Sequence, residues 1–88
     1  MNSEKRIAVI AIILENPKEV QGRVNSLISE FGGIIVGRMG IPNHERNLGV
    51  LSLIVEGSEN EINTLTGKLG NIHGVNARAT MAKQKYEE

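Results

Sequence analysis

The sequence has no cysteine and no tryptophan, and its aromatic complement is one phenylalanine and one tyrosine. Without cysteine there is no disulfide framework and no thiolate to hold a metal. Phe31 belongs to an apolar helical stripe and Tyr86 to the C-terminal tail, so no aromatic platform is offered to stacked bases. An excess of one charge is also missing, because ten Lys and Arg balance ten Asp and Glu. The basic footprint of a free-standing nucleic-acid binder is therefore absent, as is a general attraction to anionic membranes. The apolar run from Ile7 to Leu14 is about one strand long and too short to span a bilayer. A charged segment, Glu4-Lys5-Arg6, precedes it, and no small-residue cleavage site follows. The expectation is a cytoplasmic protein with no nucleic-acid or membrane partner.

What is present fits one domain, residues 1–88, with an ordered core over about residues 6–82. A chain of this length buries only ~60–65% of the surface its unfolded state exposes, so sharing apolar surface with further copies is a natural supplement. Ile7 to Leu14 is apolar at every position and rich in β-branched residues, which predicts a strand buried on both faces. Asn16-Pro17-Lys18-Glu19 has the form of a helix start, with Asn16 as cap, Pro17 in the first turn and Glu19 as the capping-box carboxylate. Val20, Val24, Leu27, Ile28 and Phe31 follow at helical spacing, and Gly32-Gly33 supplies a left-handed terminator.

Ile34 to Ile41 predicts a second strand, residues 42–46 a charged hairpin tip, and Leu48 to Val55 a third strand. Ser58-Glu59-Asn60-Glu61 repeats the capping-box pattern ahead of Ile62, Leu65 and Leu69, and Gly70 closes that helix. Gly67 inside it costs ~1 kcal/mol relative to alanine, a sign of close packing. Val75, Ala77, Ala79 and Met81 alternate with Asn76, Arg78 and Thr80 in a fourth strand, and residues 83–88 form a frayed tail. Strand-helix-strand-strand-helix-strand with right-handed crossovers is an α+β, ferredoxin-like βαββαβ sandwich: a four-stranded antiparallel sheet with two helices on one face. The first and third strands then lie in the middle of the sheet, and both are apolar on the side the helices leave bare. Such a patch signals a partner, here another copy.

Chemistry is sparse. In Gly37 to Asn47, Arg38, His44 and Arg46 have the residue types that gather around a carboxylate or phosphate through charge-assisted hydrogen bonds. The alternative is a solvated hairpin whose charges protect a sheet edge. Arg38, lying within an apolar strand, needs a partner or an exit to water. Glu15 and Asn16 precede a helix N-terminus, where an anion can sit unless the caps already satisfy the N–H groups. Asn47 completes the candidate ligand set of Glu15, Asn16, Arg38, His44, Arg46 and Asn47. Val20-Gln21-Gly22-Arg23-Val24 resembles part of the phosphate cradle of acylphosphatases, but it lies within a predicted helix and lacks the flanking glycines and Phe-Arg pair, which makes the match one of chance. Gly67-Lys68-Leu69-Gly70 lacks the remainder of a phosphate loop. His44 and His73 stand apart with no cluster at ligand spacing, so no metal and no cofactor are expected, and no catalytic set is recognisable.

Arg38-Met39-Gly40-Ile41-Pro42, Asn47 ahead of an apolar strand, and Leu65-Thr66-Gly67-Lys68-Leu69-Gly70-Asn71-Ile72-His73-Gly74-Val75 resemble the iron-only hydrogenase system regulators. The likeness runs from about Arg6 to Met81. It implies a stand-alone ACT-like domain, related in fold to the ligand-sensing domain of nickel-responsive repressors, and a bacterial cytoplasmic regulator. The histidines and cysteine that hold nickel in those repressors have no match here, nor does their DNA-binding segment. From ACT domains the resemblance implies an effector near the first strand-to-helix loop at a subunit interface, at Glu15, Asn16 and Arg38 from a neighbour. The expectation is a homo-oligomeric regulatory module, dimer or tetramer, binding a small ligand or a protein and catalysing nothing. The alternatives are a small acylphosphatase-like hydrolase using Arg23 or Arg38, or an RNA- or DNA-binding domain using Arg38 and Arg78.

Overall fold

The computed structural model describes residues 4–43 and 45–87, without the side chains of residues 42 and 43. Its elements are β1 (Glu4–Glu15), α1 (Pro17–Glu30), a 3-10 turn (Gly32–Ile34), β2 (Ile35–Asn43), β3 (Leu48–Gly57), α2 (Glu59–Gly70), β4 (Val75–Met81) and β5 (Tyr86–Glu87). The strands pair antiparallel in the order β2-β3-β1-β4, with β5 added to the start of β1. This is the ferredoxin-like arrangement, with β1 and β3 central as the patterning predicts.

One apolar layer joins the sheet to both helices. The even residues of β1 from Ala8 to Leu14 and the odd residues of β3 from Leu51 to Val55 pack on Val20, Val24 and Ile28 of α1 and Ile62, Leu65 and Leu69 of α2. No polar or charged residue is buried among those described. The odd residues of β1 turn the other way. Ile7 and Val9 are about two-fifths exposed, as is Ile54 beside them on β3. The two central strands are therefore apolar on both faces but covered on one.

Several local expectations are corrected. Asn16 does not cap α1. It is left-handed (φ 53), makes no side-chain bond to the helix, and starts α1 through its carbonyl, which accepts from the Glu19 N–H at 2.9 Å. Gly32 and Gly33 do not adopt a left-handed turn; the chain leaves α1 through Phe31 and a 3-10 turn instead. Gly67 marks no close packing, since a Cβ there would meet nothing within 4 Å. The tail is not entirely frayed, because Tyr86 and Glu87 pair with Lys5 and Glu4. The Ser58 capping box does form: Ser58 Oγ accepts from the Glu61 N–H at 3.1 Å, and Glu61 Oε1 accepts from the Ser58 N–H at 2.9 Å.

Two glycines are set by tertiary geometry. Gly74 has φ +87 and presents its carbonyl to the Glu15 N–H at 2.7 Å, which ties the start of β4 to the end of β1. At Gly57 a Cβ would lie 2.9 Å from Ile34 Cγ2, so the end of β3 passes against the 3-10 turn only without a side chain.

Candidate functional site

A cleft of about 200 Å³ opens where α1 runs past the edge of the sheet. On α1, Pro17, Gln21, Val24 and Asn25 recur at helical spacing and line one wall. Arg38 and Gly40 on β2, with Gly49 and Leu51 on β3, line the other, and Leu14 lies at the base. A Cβ on Gly40 would sit 3.3 Å from Leu51 Cδ1, and one on Gly49 3.4 Å from Pro17 Cγ. Bare backbone at these two positions keeps the cleft open.

Arg38 pairs across the sheet with Leu53 and therefore projects on the helix side. On a central strand it would be buried. On the edge strand it reaches past the core to solvent, where Nη2 donates to Asn25 Oδ1 at 3.4 Å. Among the described residues no carboxylate pairs with it. Its positive charge thus faces the cleft beside the carboxamides of Gln21 and Asn25, above an apolar base.

The other candidate residues lie elsewhere. Asn16 and Asn47 are both left-handed, with φ 53 and 54, and are bonded to each other. The Asn16 N–H donates to the Asn47 carbonyl at 3.2 Å, and Asn47 Nδ2 donates to Asn16 Oδ1. Asparagine tolerates this backbone better than any residue but glycine. The pair bolts the β1–α1 turn to the β2–β3 hairpin. Glu15 is exposed beside it, and Arg46 is exposed in the hairpin turn. His44 lies outside the described residues. From Arg38 to Asn43 the strand advances five residues, roughly 16 Å, which separates Arg38 from the hairpin tip. The set therefore divides into an asparagine bolt near Glu15 and Arg46, and an arginine in the cleft. Gln21 and Asn25 were not singled out from the sequence; their spacing of four on the flank of the Val20–Val24 stripe is the signal that marks them.

No group of three or more His, Cys, Asp or Glu residues converges among the described residues. Gly22 and Arg23 lie inside α1, where the backbone N–H groups belong to the helix ladder rather than to a phosphate cradle. No described helix is long and apolar enough to cross a membrane.

The second feature is the bare side of the sheet. Cross-strand rungs place Val9 beside Ile54, Ile13 beside Val50, Val50 beside Ile41, and Ala11 between Ser52 and Arg78. Met39 and Ile41 on β2 are about two-thirds exposed. Together with Ile7, Val9, Val50 and Ile54 they leave on the order of 500–600 Å² of apolar surface open, the upper end for a monomeric protein.

Residues 6–79 match the family model described as "TM1266-like: Iron-only hydrogenase system regulator, putative". The chain belongs to this family. A solved structure of TM1266 from Thermotoga maritima, described as an uncharacterized protein, is 32% identical, with a TM-score of 0.86 over 90% of this chain and 99% of that one. A "putative PII-like signaling protein" from Thermus thermophilus is 17% identical, with a TM-score of 0.64 over 91% of this chain and 89% of that one. The apo form of CPII from Thiomonas intermedia, a nitrogen regulatory PII-like protein, is 12% identical, with a TM-score of 0.55 over 100% and 99% of the two chains. At these identities the likeness to the PII-like proteins shows the fold alone. The comparison with curated proteins gives no match.

Proposed function

We propose that this member of the iron-only hydrogenase regulator family is a one-domain, cytoplasmic regulatory module that self-associates and binds an effector or a protein partner rather than catalysing a reaction. The observation that carries the reading is the uncovered apolar face of β1, β3 and β2. The occupant we assign to it is a second copy. With Ala11, Ile13 and Ser52 included, the face reaches roughly 600–700 Å², most of the ~800 Å² per partner that a stable interface buries. Its margin holds both signs of charge, Glu56 beside Ile7 and Arg78 beside Ala11, and a rim of mixed sign suits a copy of itself. The description of the family as regulators supports a binding role, as do the signalling and nitrogen-regulatory descriptions of proteins with the same fold.

Light scattering over about 1–100 μM tests the assembly, since the single chain has a mass of 9.6 kDa. A mass of two or four chains is expected, and a folded monomer throughout would sink the reading. A thermal-shift panel of amino acids, organic acids, nucleotides and divalent metals tests the effector. A ligand at a hundredfold excess over its dissociation constant adds ~2.7 kcal/mol of stability. Silence across the panel assigns the module to a protein partner.

A further inference from the structure

The cleft beside α1 lies within one chain, so what it binds can be argued without the sheet-face assembly, although the inference rests on the effector-binding part of the proposed function. Its floor is apolar and nearly dry, with Leu14, Val24 and Leu51 each less than a tenth exposed. Its rim is polar and cationic. Arg38 carries five N–H donors, and its bond to Asn25 Oδ1 engages one of them. That bond uses the oxygen of Asn25 and leaves its amide nitrogen as a donor, and Gln21, one turn earlier on the same flank, brings a second carboxamide. A guanidinium with two flanking amides matches a planar carboxylate, which it can hold through two parallel hydrogen bonds. A cleft of about 200 Å³ limits the occupant to a small molecule.

The lining also discriminates. Among the described lining residues there is no carboxylate, so an α-ammonium would sit near Arg38 with no opposite charge. We propose that the cleft is a binding site for a small branched aliphatic acid lacking an amino group, such as a 2-oxo or simple carboxylic acid. The carboxylate lies on Arg38, Asn25 and Gln21, and the branched tail rests on Leu14, Val24 and Leu51.

The test is an amide-resolved NMR titration of the full chain with 3-methyl-2-oxobutanoate up to about 5 mM, at fixed pH and ionic strength. Saturable shifts are expected at Val24, Asn25, Gly40 and Gly49, with half-saturation below about 1 mM. Arg38→Gln, at an exposed position that leaves the rest of the spectrum in place, weakens binding about tenfold or more. Asn25→Leu weakens it about threefold or more, isobutyramide about tenfold, and valine at least about fivefold relative to the 2-oxo acid. Absence of saturation, shifts centred away from the cleft, unchanged binding by Arg38→Gln, or equal binding of valine would each overturn the proposal. Light scattering on the same sample separates the two readings, because an assembled protein that ignores the acid loses this site and keeps the module.

Discussion

Replacing Ile54 with lysine separates the stability of one chain from that of its assembly. Ile54 projects from the bare face of β3, beside Val9 on β1 and Gly37 on β2, and is 41% exposed. In an isolated chain the lysine stem covers much the same neighbours and its ammonium reaches water, so the loss is within ~1 kcal/mol. In a face-to-face pair the open part of Ile54 is buried once per copy. At ~70 Å² per copy and ~25 cal/mol per Å², the substitution removes ~3.5 kcal/mol of association free energy. Two ammonium groups drawn into the same interface add a desolvation penalty of several kcal/mol. Affinity should fall by at least about a thousandfold. Size-exclusion chromatography with light scattering over about 1–200 μM reads this directly. The wild type is expected as an oligomer and Ile54→Lys as a folded monomer with native-like circular dichroism. If both proteins show one and the same mass across the range, the bare face is not the interface and the reasoning fails.

Other consequences concern the fold. Leu53→Ala empties a fully buried position on β3 and should cost ~2–5 kcal/mol in urea unfolding. Ser58→Ala removes one arm of the capping box and should cost ~1 kcal/mol by the same measurement. Gly22→Ala and Gly67→Ala lie within helices with nothing within 4 Å of the new methyl, so each should raise stability by ~0.5–1 kcal/mol, whereas Gly57→Ala, pressed on Ile34, should lower it. At Asn47 alanine should destabilise more than glycine in paired denaturation curves, because both lose the bond to Asn16 but only alanine resists the left-handed backbone.

The strands and helices were legible because each is encoded by side chains close together in the sequence. A β-branched run marks β1, an apolar run marks β3, the Val20–Ile28 stripe marks α1, and Ser58 with Glu61 places the start of α2. The need of Arg38 for a way out of an apolar strand was legible too, and its position on an edge strand supplies it. Asn16 was misread for an instructive reason. A cap is a local arrangement within four residues, but the partner that claims this side chain is Asn47, 31 residues away. Gln21 and Asn25 gave a faint signal, because polar residues on the solvent flank of a helix are the ordinary case.

Periodicity and turn chemistry thus determined which segments become strand or helix, and that the middle strands would be apolar on both sides. Those properties depend on neighbours a few residues apart. Which polar groups meet was decided by tertiary structure alone. Arg38 comes to Asn25, and Asn16 to Asn47, only once the sheet order puts β2 at the rim and α1 across it. Contacts between remote segments follow from how the elements pack, and no local pattern carries that information.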